Sequence, residues 1–309
     1  MSSAGRTRTV ALAALLALLG VLRPSVGFAQ SGKDAAYQRS FENWKSELVE
    51  DRRQNWLPLA GLFWLKPGQN TFGSDAGNVV VLPKGARPWA GEFDFWNGKV
   101  TMKASAGVHA TIAGKPVTGP TQLEPDNSAH PTVVELGSLR LHVIVRGART
   151  GIRVKNLESP AVEKYTGPVF YAMNPAYRVT AKFLPATKKR IVMVPDVIGD
   201  MTPTPVTGEV EFQLEGKDLH LTDLGGDPAK GLFFVFADPT NKTETYHAGR
   251  FLDTGPVAHG TVVLDFNRAY NPPCSVTRFA TCPLPPKENR LEVAIPAGEK
   301  FERPQRRRR

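Results

Sequence analysis

The stretch Gly91-Glu92-Phe93-Asp94-Phe95-Trp96-Asn97-Gly98-Lys99-Val100-Thr101-Met102-Lys103 decides the fold class. Two β-prone runs, 91–95 and 99–103, flank Asn97-Gly98. A two-residue hairpin turn needs positive φ at both central positions, and Asn-Gly is the pair that supplies it most readily. Runs of the same texture extend in both directions, at 59–65, 70–72, 79–82, 108–112, 116–117 and 138–145, with Lys66-Pro67-Gly68-Gln69 as a turn between the first two. Short strands at regular spacing, punctuated by Gly and Pro, are the pattern of a sandwich or barrel.

The second half repeats that texture without repeating the sequence. Strands are expected at 169–173, 177–183, 189–195, 208–214, 219–221, 232–237, 245–251 and 261–266. A Pro-rich loop follows over 269–287, and then a last strand at 291–295. Pro, Ser and charged residues interrupt the runs at 158–164 and set a soft boundary. The fold expected is mainly β: a β-sandwich over 59–160, then a second β-sandwich or barrel-like half over 161–301, with one continuous β domain left open. The 28 Gly and 26 Pro argue against a helical bundle, and 41% hydrophobic residues exclude wholesale disorder.

Upstream, the period changes. Tyr37, Phe41, Trp44 and Leu48 lie at spacings of four, three and four, one stripe of an amphipathic helix over 34–54. That helix, within an N-terminal segment of 30–58, is expected to dock its aromatic stripe on the sandwich. Before it, Arg6 and Arg8 precede an apolar stretch at 10–22, and Gly27 and Ala29 place small residues ahead of Gln30. This is the layout of a signal peptide over 1–29. Thirteen apolar residues reach only ~20 Å as a helix, short of the ~30 Å hydrocarbon core. The reading is therefore export to the periplasm or beyond, with no transmembrane segment after cleavage.

That reading reassigns the charge. The chain of 309 residues carries a formal +10. Three of those charges belong to 1–29, and a net four belong to the arginine-rich tail 302–309, expected to be disordered. A body of about +3 gives no reason to expect nucleic acid as a partner. The tail is expected to touch anionic envelope surfaces by electrostatics alone.

Three segments carry a resemblance. They are Gly61-Leu62-Phe63-Trp64-Leu65 with Asn70-Thr71-Phe72-Gly73-Ser74; Tyr246-His247-Ala248-Gly249-Arg250-Phe251; and Leu264-Asp265-Phe266-Asn267-Arg268-Ala269-Tyr270-Asn271-Pro272-Pro273-Cys274 running to Thr281-Cys282-Pro283-Leu284-Pro285-Pro286. Together, over roughly 41–300, they resemble a bacterial family known as domain of unknown function 1684, which implies a fold unit and no mechanism. The order of turns and strands at 68–74, 78–82, 114–117, 123–126 and 136–138 resembles a forkhead-associated β-sandwich. That fold commonly reads phosphothreonine. Its phosphate-binding Arg falls at Ser74, and its Asn-Gly at Ala113-Gly114, so the resemblance implies the sandwich without the phosphopeptide chemistry.

Cys274 and Cys282 stand eight apart in the Pro-rich loop. In an exported chain the first reading is a disulfide clamping that loop. The clamp would fix Asp265, Asn267, Tyr270, Asn271 and Arg278, as a binding site or as turn-forming and packing residues. Strand alternation would put Tyr246 and Arg250 on one face and His247 on the other, and Asp265 with Asn267 on one side. Arg146, Arg149 and Arg153 form a basic run at the half-to-half junction, suited to an acidic ligand in a cleft or to salt bridges.

Two cysteines exclude a four-cysteine zinc site, and no metal is expected. The chain lacks Gly-x-Ser-x-Gly, His-Glu-x-x-His, a P-loop and a dinucleotide fingerprint, and no cofactor is expected. The leading expectation is binding of a small or polymeric, anionic envelope ligand by Arg149, Arg153, Tyr246, Arg250 and the 265–278 loop. The alternatives are a hydrolase with Asp265 or His247 as acid or base, and a structural or protein-interaction module.

Overall fold

A computed structural model describes residues 27–301, with side chains from residue 35. Residues 1–26, with the n-region and apolar stretch of the signal-peptide reading, and the tail 302–309 lie outside the described residues. No described helix is long and apolar enough to cross a membrane. The chain divides between Trp44 and Lys45 into two compact units. Helix α1 (Gly27–Asp51) runs through the division and passes into a π-helical turn, Arg52–Trp56. Of the expected stripe, Phe41 and Leu48 are buried and Tyr37 and Trp44 half-buried. The rings of Phe41 and Trp44 lie 5.6 Å apart.

In the second unit the first β half contains β1 (Leu59–Trp64), β2 (Gly68–Gly73), β3 (Val80–Val81), β4 (Gly91–Trp96), β5 (Lys99–Ala104) and β6 (Thr111–Ile112). It continues with β7 (Lys115–Pro116), β8 (Thr121–Leu123), β9 (Val134–Leu136), β10 (Leu139–Arg146) and β11 (Arg149–Asn156). The strands form a five-stranded sheet, β3-β2-β4-β5-β8, and a six-stranded sheet, β1-β11-β10-β9-β6-β7. Inward residues of both, Phe72, Phe93 and Met102 from one and Leu141, Ile152 and Val154 from the other, fill one core, so this half is a sandwich. The β4–β5 hairpin turns at Asn97 and Gly98 with φ of 49° and 77°, as Asn-Gly requires. The short strands β8 and β9 are too brief to show a period. The eight-residue β11 reads in sequence as a basic run because Arg149, Arg153 and Lys155 hold outward positions.

The second β half has one four-stranded antiparallel sheet, β14-β13-β12-β17, and one two-stranded ribbon, β15-β16. Here β12 is Arg178–Pro195, β13 Met201–Leu214, β14 Lys217–Thr222, β15 Phe233–Phe236, β16 Arg250–Asp253 and β17 Thr261–Asp265. Both layers, with Leu291, Val293 and Ile295 of the C-terminal segment, enclose a second core around Phe212, Phe234, Phe236 and Phe266. A short helix α2 (Pro160–Glu163), capped by Ser159 Oγ, lies at the boundary.

Three expectations are corrected. The runs 177–183 and 189–195 belong to one strand, β12, whose ladder is interrupted between Pro185 and Arg190, where Pro185 has no N–H to give. Residues 169–173 and 291–295 form no sheet strand among the described residues; 291–295 is instead an extended segment fastened by side chains. Residues 245–249 are a turn, closed by the Gly249 N–H to the Tyr246 carbonyl at 3.1 Å. Gly249 is required there: its φ is +98°, and a Cβ would stand 2.4 Å from Pro285 Cγ.

Candidate functional site

The turn at 246–249 changes what the sequence places together. Strand alternation no longer applies, so Tyr246 and Arg250 do not form one handle. Arg250 opens β16 pointing inward, fully buried. One Nη donates to Asp238 Oδ1 at 2.8 Å and to the Ile295 carbonyl at 3.0 Å, and the other to the Ala297 carbonyl. Asp238 also accepts the Ile295 N–H at 2.8 Å. Arg250 is thus a fastener for the C-terminal segment.

The chain after β17 is committed in the same way. A 3-10 turn, Phe266–Arg268, follows Asp265 and breaks the alternation expected of Asp265 and Asn267. Asp265 lies 3.4 Å from Arg268 and 3.9 Å from Arg178. Asn267 exchanges two hydrogen bonds with the backbone of Asn174, at 2.9 and 3.0 Å. Asn271 donates its side-chain amide to the Lys300 carbonyl, and its N–H to Glu299. Glu299 in turn holds the buried Arg52 at 2.6 Å. Tyr270 stacks near Trp56 and Phe251 and donates its hydroxyl to Asp253 at 2.6 Å. Burial pushes the Tyr270 phenol upward from its usual value, so this hydroxyl remains a donor. Arg149 pairs with Asp200 at 2.8 Å and lies over the Trp64 ring.

Cys274 and Cys282 are free thiols, which corrects the disulfide reading. They are neighbours nonetheless: the Cys274 N–H donates to Cys282 Sγ at 3.2 Å. A hydrogen bond from Cys282 holds the Cys274 thiol below its ordinary value and pushes Cys282 up. The loop is held by packing in place of a covalent clamp. Ala280 and Cys282 are buried with Val194, Val235 and Phe251, and Leu59 of β1 packs on the same cluster.

Two clefts flank this loop. The outer one, ≈ 560 Å³, is lined by Tyr246, His247, Cys274, Arg278 and Arg290, with apolar walls including Val197, Ile198 and Leu284. No carboxylate lines it among the described residues. Arg278 and Arg290 are exposed and make no ion pair among the described residues. Tyr246 donates its hydroxyl to the Cys274 carbonyl at 2.9 Å, and its ring lies 4.5 Å from that of exposed His247. The inner cleft, ≈ 350 Å³, is lined by His142, Arg153, Lys155 and Thr281 among others.

Of the sequence-derived candidates, the structure therefore brings Tyr246, His247 and Arg278 to one cleft and Arg153 to the other. Arg149, Arg250, Asp265, Asn267, Tyr270 and Asn271 line neither. Sequence reading missed Arg290, His142 and Lys155. The last two had a signal, because they are the polar positions alternating with Leu141, Val143, Ile152 and Val154. Arg290 had none. No group of three or more His, Cys, Asp or Glu able to hold a metal occurs among the described residues.

Residues 163–300 match the family model described as "Protein of unknown function (DUF1684)". The match contains the segments at 246–251 and 264–286 and leaves 61–74 outside. An uncharacterized protein of Haloarcula marismortui, solved by NMR, is 29% identical, covering 45% of this chain and 78% of that one with a TM-score of 0.38. Two forkhead-associated domain structures are each 19% identical over 30% of this chain, with TM-scores of 0.22. One comes from work on phosphothreonine-dependent FHA interactions and is 92% covered; the other is the FhaA FHA domain in a complex and is 97% covered. No protein with a curated description matches the chain.

Proposed function

We propose that this is an exported binding protein whose outer cleft takes a small anionic ligand or an acidic unit of an envelope polymer. One observation carries the reading: three cationic or protonatable side chains, His247, Arg278 and Arg290, line a part-apolar cleft that no carboxylate lines among the described residues. Guanidinium groups without an acid partner are the residues best suited to a carboxylate or another planar anion. The apolar wall favours a ligand with a carbon skeleton. Export rests on the layout of residues 1–29.

The hydrolase reading is weaker on geometry. Asp265 does not line either cleft, and His247 faces no carboxylate there that would orient it. Calorimetry on the mature chain with mono-, di- and tricarboxylates, uronic acids and neutral sugars tests the proposal. Acids should bind and neutral sugars should not, and Arg278→Gln with Arg290→Gln should weaken binding at least roughly tenfold. Equal binding of neutral sugars, or no effect of the double substitution, overturns it. Fractionation with N-terminal sequencing tests export: a periplasmic or secreted chain beginning at Gln30 is expected, and a cytoplasmic chain beginning near Met1 refutes it.

A further inference from the structure

The six-stranded sheet has an inner face turned to the sandwich core, and an outer face that bears His142 on β10 and Arg153 and Lys155 on β11. His142 and Arg153 are direct cross-strand partners. Arg153 and Lys155 are two residues apart on one strand, so they share a face roughly 6–7 Å apart. Like charges placed this way repel. In a lone sandwich that face would meet water; here Ala280, Thr281, Cys282 and Pro283 line the inner cleft beside it.

The polar atoms of this cleft are donors short of acceptors. Arg153 gives one Nη hydrogen to Thr281 Oγ1 at 3.2 Å, and its enclosed Nε has no partner. Arg146 donates to the same Thr281 oxygen at 3.0 Å. Two guanidinium donors occupy that oxygen's lone pairs, so the Thr281 hydroxyl hydrogen is left to be given away. Lys155 spends one ammonium hydrogen on Asn55 Oδ1 at 2.9 Å. Two carboxylates act on this group: Asp126, which Arg146 holds at 2.8 Å, and Asp51, which accepts from Asn55 Nδ2 and acts on Lys155.

We infer that the inner cleft is a receptor for a small oxyanion of the phosphate or sulfate class, held by Arg153, Lys155 and the Thr281 hydroxyl. Such a group brings acceptors only, and it neutralises the charge excess that this half-buried face carries. The electrostatics agree with the geometry. His142 is lowered to about 4 by burial first and by Arg153 next, with Lys155 and Arg146 adding to this and Asp126 opposing it. Arg153 is lowered by burial and by Arg146, with Asp126 and Cys282 opposing, and Lys155 is lowered by burial and by Arg153, with Asp51 opposing. An oxyanion bound among these groups opposes the cationic contribution at the imidazole.

The experiment is calorimetry of the mature chain with inorganic phosphate and with sulfate, at fixed ionic strength and against chloride. NMR titration of His142 runs alongside it. Phosphate should bind and raise the His142 pKa, and Lys155→Gln, a half-buried position, should weaken binding roughly tenfold. Arg278→Gln with Arg290→Gln should leave phosphate binding unchanged, while Lys155→Gln should leave carboxylate binding in the outer cleft unchanged. The two proposals can therefore fail separately. Vesicles containing phosphatidylglycerol, compared with neutral vesicles, distinguish a headgroup from a free anion. Vesicle binding abolished by Lys155→Gln assigns the oxyanion to a lipid, and its absence alongside phosphate binding assigns it to a soluble ligand. No phosphate or sulfate binding, an unmoved His142, or binding indifferent to Lys155→Gln overturns the inference.

Discussion

Arginine does opposite work in two regions of this protein. Beneath the C-terminal segment, Arg250 and Arg52 are enclosed, and each meets a carboxylate, Asp238 at 2.8 Å and Glu299 at 2.6 Å. Around the 273–285 loop, Arg278, Arg290 and Arg153 meet no acid in an ion pair among the described residues. The residue type is the same, and the difference is compensation. A buried guanidinium with a carboxylate and backbone acceptors is a fastener whose electrostatic needs are met within the chain. A guanidinium at a cleft without an acid has its needs met by water or by a ligand. The comparison separates scaffold from site more sharply than burial does, since Arg153 is itself half-enclosed.

The contrast breaks first at the fasteners. Arg250→Ala leaves Asp238 buried and unpaired and releases the carbonyls of Ile295 and Ala297. Losing one partner of a buried pair costs about 3–5 kcal/mol. We expect a large drop in the denaturant midpoint, read by urea titration; a loss below about 1 kcal/mol would show that the pair is not the fastener described. Glu299→Ala should act comparably, by stranding Arg52 and freeing the Asn271 N–H.

These fasteners explain what the sequence could and could not disclose. The Asn97-Gly98 hairpin, the alternation of β10 and the aromatic stripe of α1 are local patterns, and a local pattern can be read from the chain alone. Arg52 and Glu299 are 247 positions apart, and Arg250 reaches the carbonyl of Ile295 45 positions away. Nothing near Arg250 in the sequence distinguishes a core ion pair from a ligand handle, and only its distant partners Asp238, Ile295 and Ala297 make it a fastener. The turn at 246–249 was hidden for a different reason. Its residues are β-prone, and what ends the strand is the close approach of Pro285 to Gly249. Lys155 is the opposite case: alternation along β11 places it outward, and only the 280–283 loop, distant in sequence, makes that position part of a cleft.

Acid is the next way to test the contrast. His142 sits among the uncompensated cations, with its pKa lowered to about 4 against an ordinary 6.5. Above pH ~6.5 both folded and unfolded states hold it neutral, and it exerts no pull. Between ~6.5 and ~4 the unfolded chain takes a proton that the folded chain refuses, so stability falls with pH. Near pH 4 the loss approaches about 2–3 kcal/mol, before screening by solvent that enters the cleft. Thermal melts from pH 7.5 to 4.5 should show this slope, and His142→Gln should flatten it. Melts of that variant that fall as steeply as the parent's would place the acid sensitivity elsewhere.

The smallest stability effect is the most informative about function. Arg278 is exposed and lies over its neighbour Phe279 at 5.1 Å, with no ion pair to lose among the described residues. Arg278→Gln should leave stability within about 0.5 kcal/mol, as for surface substitutions away from special features. If the outer cleft binds an anion, the same substitution weakens that binding, because a guanidinium set against a carboxylate forms charge-assisted hydrogen bonds that an amide cannot replace. Stability and binding therefore move in opposite proportion at the two kinds of arginine. At Arg250 a collapse of binding follows from a collapse of the fold, whereas at Arg278 binding falls while the melting curve stays in place. An Arg278→Gln protein that melts several degrees lower would make this side chain another fastener. An unchanged melt with unchanged carboxylate affinity would leave the cleft's charge excess without a ligand to explain it.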